Sequence, residues 1–193
     1  MNKRGIIAMV LGALMILGSF SLLAYNAREE RRAASFADAI LPGLEQAIIE
    51  SKTPDGLEQG PKARPIATVD GNELIGILTI PSIGLELPVL STWSYPLLKI
   101  APCRYSGENT DQALVLAAHN YVRHFGKLRR LLPDDEVVFT DVEGRVFSYR
   151  VVMSEILQKT QVEDMVSDDW DLSMFTCDYG GRVRLTVRCL LAN

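Results

Sequence analysis

The chain has 193 residues, 48% of them apolar and 23% charged, which suits one ordinary domain with additional segments and is too apolar for a wholly disordered chain. A formal net charge of −4 and the lack of any long basic run exclude the electrostatic footprint of a nucleic-acid-binding protein.

The N-terminus reads "MNKRGIIAMVLGALMILGSFSLLAYNAREERR" and carries no charge from Gly5 to Ala27. As a helix this stretch would span roughly 35 Å, enough for a hydrocarbon core of about 30 Å. Lys3 and Arg4 would also suit a cleaved signal peptide, but the apolar run is longer than the usual ~7–15 residues and no clear small-residue cleavage site follows. The expectation is an uncleaved transmembrane anchor at 5–27 after a short terminus at 1–4. Its orientation stays open: Lys3 and Arg4 favour a cytoplasmic N-terminus, and Arg28, Arg31 and Arg32 oppose it.

Residues 28–69 read as a helical stalk and linker. Phe36, Ile40, Leu44, Ala47 and Ile48 recur at three- and four-residue steps, giving a short amphipathic helix that serves as a stalk or packs on the domain. The Pro/Gly-rich stretch "SKTPDGLEQGPKARP" then marks a linker, and the folded domain is expected at 70–193.

That domain reads as mostly β. "ELIGILTIPSIGLELPVL" gives two short strands separated by Pro81 to Gly84, and "ALVLAAH" is an apolar run of the kind buried on both faces. "EVVFTDVEGRVFSYRVV" predicts a hairpin turning at Glu143 and Gly144. "HFGKLRRLL" and "VEDMVSDDW" predict single helical turns or short helices. With the final hairpin, about eight strands result, and a closed or nearly closed barrel is the expected architecture.

The closing stretch "LSMFTCDYGGRVRLTVRCLLAN" alternates Val183, Leu185, Val187 and Cys189 with Arg182, Arg184, Thr186 and Arg188. In a simple hairpin around Asp178 to Gly181, Cys177 would pair with Arg182, and Arg184 would lie two residues along the same face. Cys177 ends its strand where a turn begins, so it can be exposed among basic neighbours that favour the nucleophilic thiolate. Cys103 and Cys189 read as buried structural thiols; a bridge between them and three unlinked cysteines both fit the sequence. A cysteine nucleophile needs a proton-transfer partner. His119, at the end of "LVLAAHN", is favoured over His124 in "YVRHFGKL". No spacing of Cys, His and carboxylates suggests a metal site.

The order of "AAHN", then "FTC", then an arginine in "RLTV", within a small β-rich domain behind a membrane span, resembles the sortases of Gram-positive bacteria. "IGILTIPSIGLELPV" looks like the family's first hairpin, and "HFGKLRRL" followed by "DDEVVFTD" adds to the likeness, which covers roughly residues 73 to 193. The family's Thr-Leu-x-Thr-Cys is represented by Ser173, Met174, Phe175, Thr176 and Cys177. The resemblance implies a sortase-like closed β-barrel and a cysteine transpeptidase. Cys177 would be the nucleophile, His119 the general acid and base, and Arg184 the oxyanion and substrate-positioning group, no cofactor being required. The implied partners are secreted proteins bearing a C-terminal sorting signal, an amine acceptor such as a peptidoglycan precursor or a pilin lysine, and the membrane. The N-terminus would be cytoplasmic and the catalytic domain extracellular, in a single-pass protein of the cell membrane.

The short segment Ile156 to Asp171 leaves little room for the long helix typical of class B. The absence of an Asp-Pro-aromatic lid motif and of a second span favours single-protein anchoring over pilus assembly. An L,D-transpeptidase reading lacks its Ser-x-Gly-Cys-x-Arg signature here, and papain-like hydrolases run cysteine before histidine. A membrane-anchored interaction module would need no exposed, activated cysteine.

Overall fold

The computed structural model describes residues 3–51, 63–110, 112–178 and 180–192. It opens with helix α1 (Lys3–Ser51), followed by strands β1 (Ala67–Val69), β2 (Asn72–Ile80) and β3 (Leu85–Leu90) and a short helix α2 (Tyr95–Leu98). Strands β4 (Cys103–Ser106), β5 (Leu114–Ala117), β6 (Glu136–Asp141) and β7 (Val146–Gln158) come next, then short helix α3 (Val162–Met165), β8 (Leu172–Cys177) and β9 (Val183–Leu191). Two 3-10 turns, Pro81–Ile83 and Phe125–Arg130, complete the set.

Eight of these strands close into a barrel in the order β2-β3-β4-β5-β8-β9-β7-β6, and β6 returns to β2; β1 adds to the start of β2. The first hairpin turns where expected, with Ile80 opposite Leu85 and Gly84 in the left-handed conformation that closes the 3-10 turn. The second turns at Glu143 and Gly144, whose loop is held by the Asp141 carboxylate: it accepts from the N–H groups of Glu143 (3.0 Å) and Arg145 (2.9 Å). Closure depends on Gly76, where β2 meets β6 so closely that a Cβ would overlap the Thr140 carbonyl and Asp141 Cα.

All of β5 is buried, as a near-continuous apolar run requires, because it lies between β4 and β8. Its pairing with β8 is parallel, Ala117 standing opposite Phe175. The alternation along β8 and β9 sends Met174, Val187 and Cys189 into the barrel core with Leu114 and Leu116.

Helix α1 is continuous through both the charge-free stretch and the amphipathic one. From Ile6 to Tyr25 its large apolar side chains are exposed, and the helix is long and apolar enough to cross a membrane. From Ala33 the stripe Ala33, Ala37, Ile40, Leu44 and Ile48 is buried, the last three against Leu74, Leu90 and Val142. The Ser51 hydroxyl ties the helix end to the barrel by donating to the Val142 carbonyl (2.6 Å). Most of the Pro/Gly-rich linker expected after Glu50 lies outside the described residues, as do Met1 and Asn2.

Candidate active site

Three neighbouring strands carry the residues singled out in the sequence. Cys177 is the last residue of β8, Arg184 is the second of β9, and His119 follows the end of β5 by two positions. Because β5 and β8 run parallel, with Ala117 opposite Phe175 and the Ala118 N–H donating to the Phe175 carbonyl (3.2 Å), His119 leaves β5 at the same end of the sheet at which β8 finishes in Cys177. On the other side of Cys177, the antiparallel register of β8 and β9 sets Arg184 directly opposite it.

This pairing corrects the simple hairpin, which placed Arg182 there. Asp178 is the cause. Its N–H donates to the Val183 carbonyl (3.0 Å), and its carboxylate accepts from the N–H groups of Arg182 (2.9 Å) and Val183 (3.4 Å). The Asp178–Val183 contact therefore closes the turn one step beyond the Cys177–Arg184 pair, and Gly181 supplies a backbone turn at φ 65°. Arg182 falls between the two strands, exposed.

Since side chains on a strand alternate, the outer face of β5, β8, β9 and β7 is laid out in rows. The edge row holds Cys177, Arg184 and Leu157, with His119 two residues past the end of β5; the next row holds Ala117, Phe175, Thr186 and Glu155; the third holds Val115, Ser173, Arg188 and Met153. The apolar members Val115, Ala117, Phe175 and Leu157 cluster with Met165 of α3, flooring the surface that leads to Cys177. Aromatic contacts extend this floor outward. Phe175 meets the Tyr105 ring edge-on at 5.1 Å, and Tyr105 meets Trp93 at 5.3 Å.

Burial separates the three cysteines, all of which are free. Cys103 and Cys189 are fully buried, and desolvation pushes both thiols up to about 12, where they are inert at neutral pH. Cys177 is half-buried at the barrel edge. Arg184 lies over the Phe175 ring, its guanidinium carbon 5.9 Å from the centroid, and its Nη1 is buried without a hydrogen-bond partner among the described residues. An unspent donor thus stands on the strand facing the thiol.

His119 is half-buried and stacks on Tyr121 at 4.9 Å. Burial, aided by Lys99 and opposed by Glu29 of α1, lowers its pKa below the ordinary histidine value, which keeps the imidazole neutral at pH 7. His124 is different. It is fully buried at the start of the Phe125–Arg130 turn, with both ring nitrogens lacking a hydrogen-bond partner among the described residues. Desolvation first and His119 second depress its pKa to about 4; the Ile100 backbone, close but outside good hydrogen-bond geometry, pulls the other way.

A cavity of about 550 Å3 lies elsewhere, lined among others by Arg64, Gln112, Tyr149 and Trp170, with no cysteine among its described lining residues. Among the described residues no group of His, Cys, Asp and Glu could hold a metal ion. Phe175, Tyr121 and Lys99 were not singled out in the sequence, because only the tertiary contacts bring them to Arg184 and His119.

A sortase-domain family model matches residues 78–192, more than half of the chain. No curated protein sequence matches it. Among solved structures, a sortase D5 transpeptidase from Clostridium perfringens superposes with a TM-score of 0.59 at 15% identity, covering 84% of this chain and 99% of that one. Sortase A from Listeria monocytogenes gives 0.57 at 17% identity, over 62% and 88% of the two chains. Sortase C from C. perfringens gives 0.53 at 20% identity, over 90% and 98%. At these identities the likeness is one of fold.

Proposed function

The chain belongs to the sortase family of cysteine transpeptidases, and from that premise we propose that it cleaves a sorting motif in secreted proteins and transfers them to an amine of the cell wall or of a pilin. The observation that carries this reading is the Cys177–Arg184 pair across β8 and β9, with His119 at the end of the adjoining parallel strand.

The chemistry follows from the residue types. Neutral His119 accepts the Cys177 thiol proton, and the thiolate attacks the backbone carbonyl carbon of the motif. The oxyanion that develops is stabilised by the Arg184 guanidinium. Collapse of this adduct breaks the peptide C–N bond, and the imidazolium protonates the departing amine, leaving a thioester on Cys177. An incoming amine attacks the thioester carbonyl and gives its proton to His119. The new amide forms as the thiolate leaves, and His119 returns the proton to it.

Helix α1 fits the role of a single-pass anchor, with the N-terminus cytoplasmic and the catalytic domain outside the cell. The exposed apolar surface from Ile6 to Tyr25 supports the anchor, since no described residue covers it, and the orientation follows from an activity exercised outside the cell. The boundaries follow: a terminus at 1–4, an anchor at 5–27, a stalk and linker at 28–69, and a catalytic domain from 70 to 193. The test is incubation of the detergent-solubilised chain with sorting-motif peptides of several classes and an amine, with mass spectrometry of the products. Amine-linked peptide supports the reading; no cleaved or linked peptide with any class overturns it.

A further inference from the structure

Arg188 is the largest fully buried side chain among the described residues, 1% exposed, and stands on the same outer face as Cys177 but two rows away. Four residues along a strand place it about 13 Å from Arg184, too far to touch a reacting carbonyl. Its hydrogen bonds converge on one structure. Nε donates to Glu155 Oε1 on β7 (2.7 Å), and Nη1 donates to the Ser173 hydroxyl on β8 (2.8 Å) and to the Met165 carbonyl (3.1 Å). Nη2 donates to the Asp164 carbonyl.

Two carbonyls at the end of α3 are therefore fastened to the sheet by one planar fork. A lysine ammonium could not reach both carbonyls, the carboxylate and the hydroxyl at once. Helix α3 spans only Val162–Met165, too short to hold its own position by helical cooperativity. What it positions matters for the surface beside the nucleophile. Met165 packs with Phe175, Ala117 and Leu157, and the start of the same β7–β8 loop is tied to the β8–β9 turn through the Lys159 N–H and Arg182 carbonyl (3.2 Å).

We propose that Arg188 is a positioning residue for substrate selection: by pinning the β7–β8 loop to the sheet it fixes the wall against which the sorting peptide lies beside Cys177. This rests on the transpeptidase reading above. Arg188 touches neither substrate nor reacting atoms in this account; it acts through Met165 and the loop. Loosening the wall weakens binding shared by ground and transition states, so KM rises while kcat is largely kept.

The experiment compares the wild-type chain with Arg188→Lys and with Ser173→Ala, which removes a single bond to the fork. The readouts are steady-state cleavage of a panel of sorting-motif peptides and the rate of Cys177 alkylation by iodoacetamide. Arg188→Lys is expected to lower kcat/KM for the preferred peptide by about 10-fold or more, through KM, and to narrow the gap between preferred and poor peptides. Ser173→Ala should shift KM in the same direction by less, and alkylation should be unchanged in both. If Arg188→Lys does not fold, Ser173→Ala alone decides. Unchanged KM and selectivity in an active, folded variant overturn the inference alone, as does a loss confined to kcat and alkylation. A wild-type chain that cleaves no peptide overturns the transpeptidase reading and this inference with it.

Discussion

Replacing the buried His124 by leucine should remove an acid sensitivity from the fold. In the folded protein its pKa is depressed to about 4 by desolvation and by His119, whereas in the unfolded chain it takes the ordinary value of 6.5. A histidine with a lowered folded pKa is neutral in both states at high pH and contributes no pH dependence there. As pH falls below 6.5 the unfolded chain takes up the proton and the folded one does not, so stability is lost until the pH reaches the folded pKa. The gap of about 2.5 units, at 1.36 kcal/mol per unit, amounts to about 3 kcal/mol. That is a large share of the ~5–15 kcal/mol that holds a typical domain.

Urea unfolding of the detergent-solubilised chain, followed by tryptophan fluorescence at several values between pH 7 and pH 4, measures it. Carboxylates titrate in both proteins, so the wild-type minus leucine difference isolates the imidazole. It should move against the wild type by about 3 kcal/mol between pH 6.5 and pH 4. A difference that stays flat across that range would show that His124 takes up its proton in the folded state, and the argument from its burial would be refuted. Peptide cleavage at pH 7 should survive the substitution, since His124 has no access to solvent.

Arg184→Ala should slow acylation in single-turnover assays by about 100-fold or more, the scale seen when an oxyanion-hole donor is removed, and lysine should rescue only part of the loss. Arg182→Ala should have a smaller effect, because Arg182 sits on the exposed loop, not opposite Cys177; a larger loss at Arg182 would contradict the register argument. His119→Ala should abolish formation and turnover of the thioacyl intermediate in a folded protein, and equal losses at His119 and His124 would undo the assignment of proton transfer to His119.

The barrel was legible where pattern and turn chemistry agree. Alternation along Val183 to Cys189 assigned the two faces of β9, and Pro81 to Gly84 marked the first hairpin. The choice between Arg182 and Arg184 was open from hairpin geometry alone, since it depends on Asp178 capping the N–H groups of Arg182 and Val183 and so widening the loop. Parallel pairing of β5 with β8 brings together residues far apart in sequence, and no local pattern encodes it. Strand β4 was hidden because "CRYS" is too short to show a period. Arg188 read as one more polar residue on an alternating strand; its burial follows only once α3 has folded over that face.

The most direct test of the account is the identity of the acylated residue. The full chain is mixed with a sorting-motif peptide in the absence of any amine, quenched in acid, digested and mapped by mass spectrometry. The account predicts an acyl group on Cys177 that disappears when an amine is supplied and is absent in Cys177→Ala. An acyl group on the buried Cys103 or Cys189, or continued transfer of peptide to amine by Cys177→Ala, would contradict it.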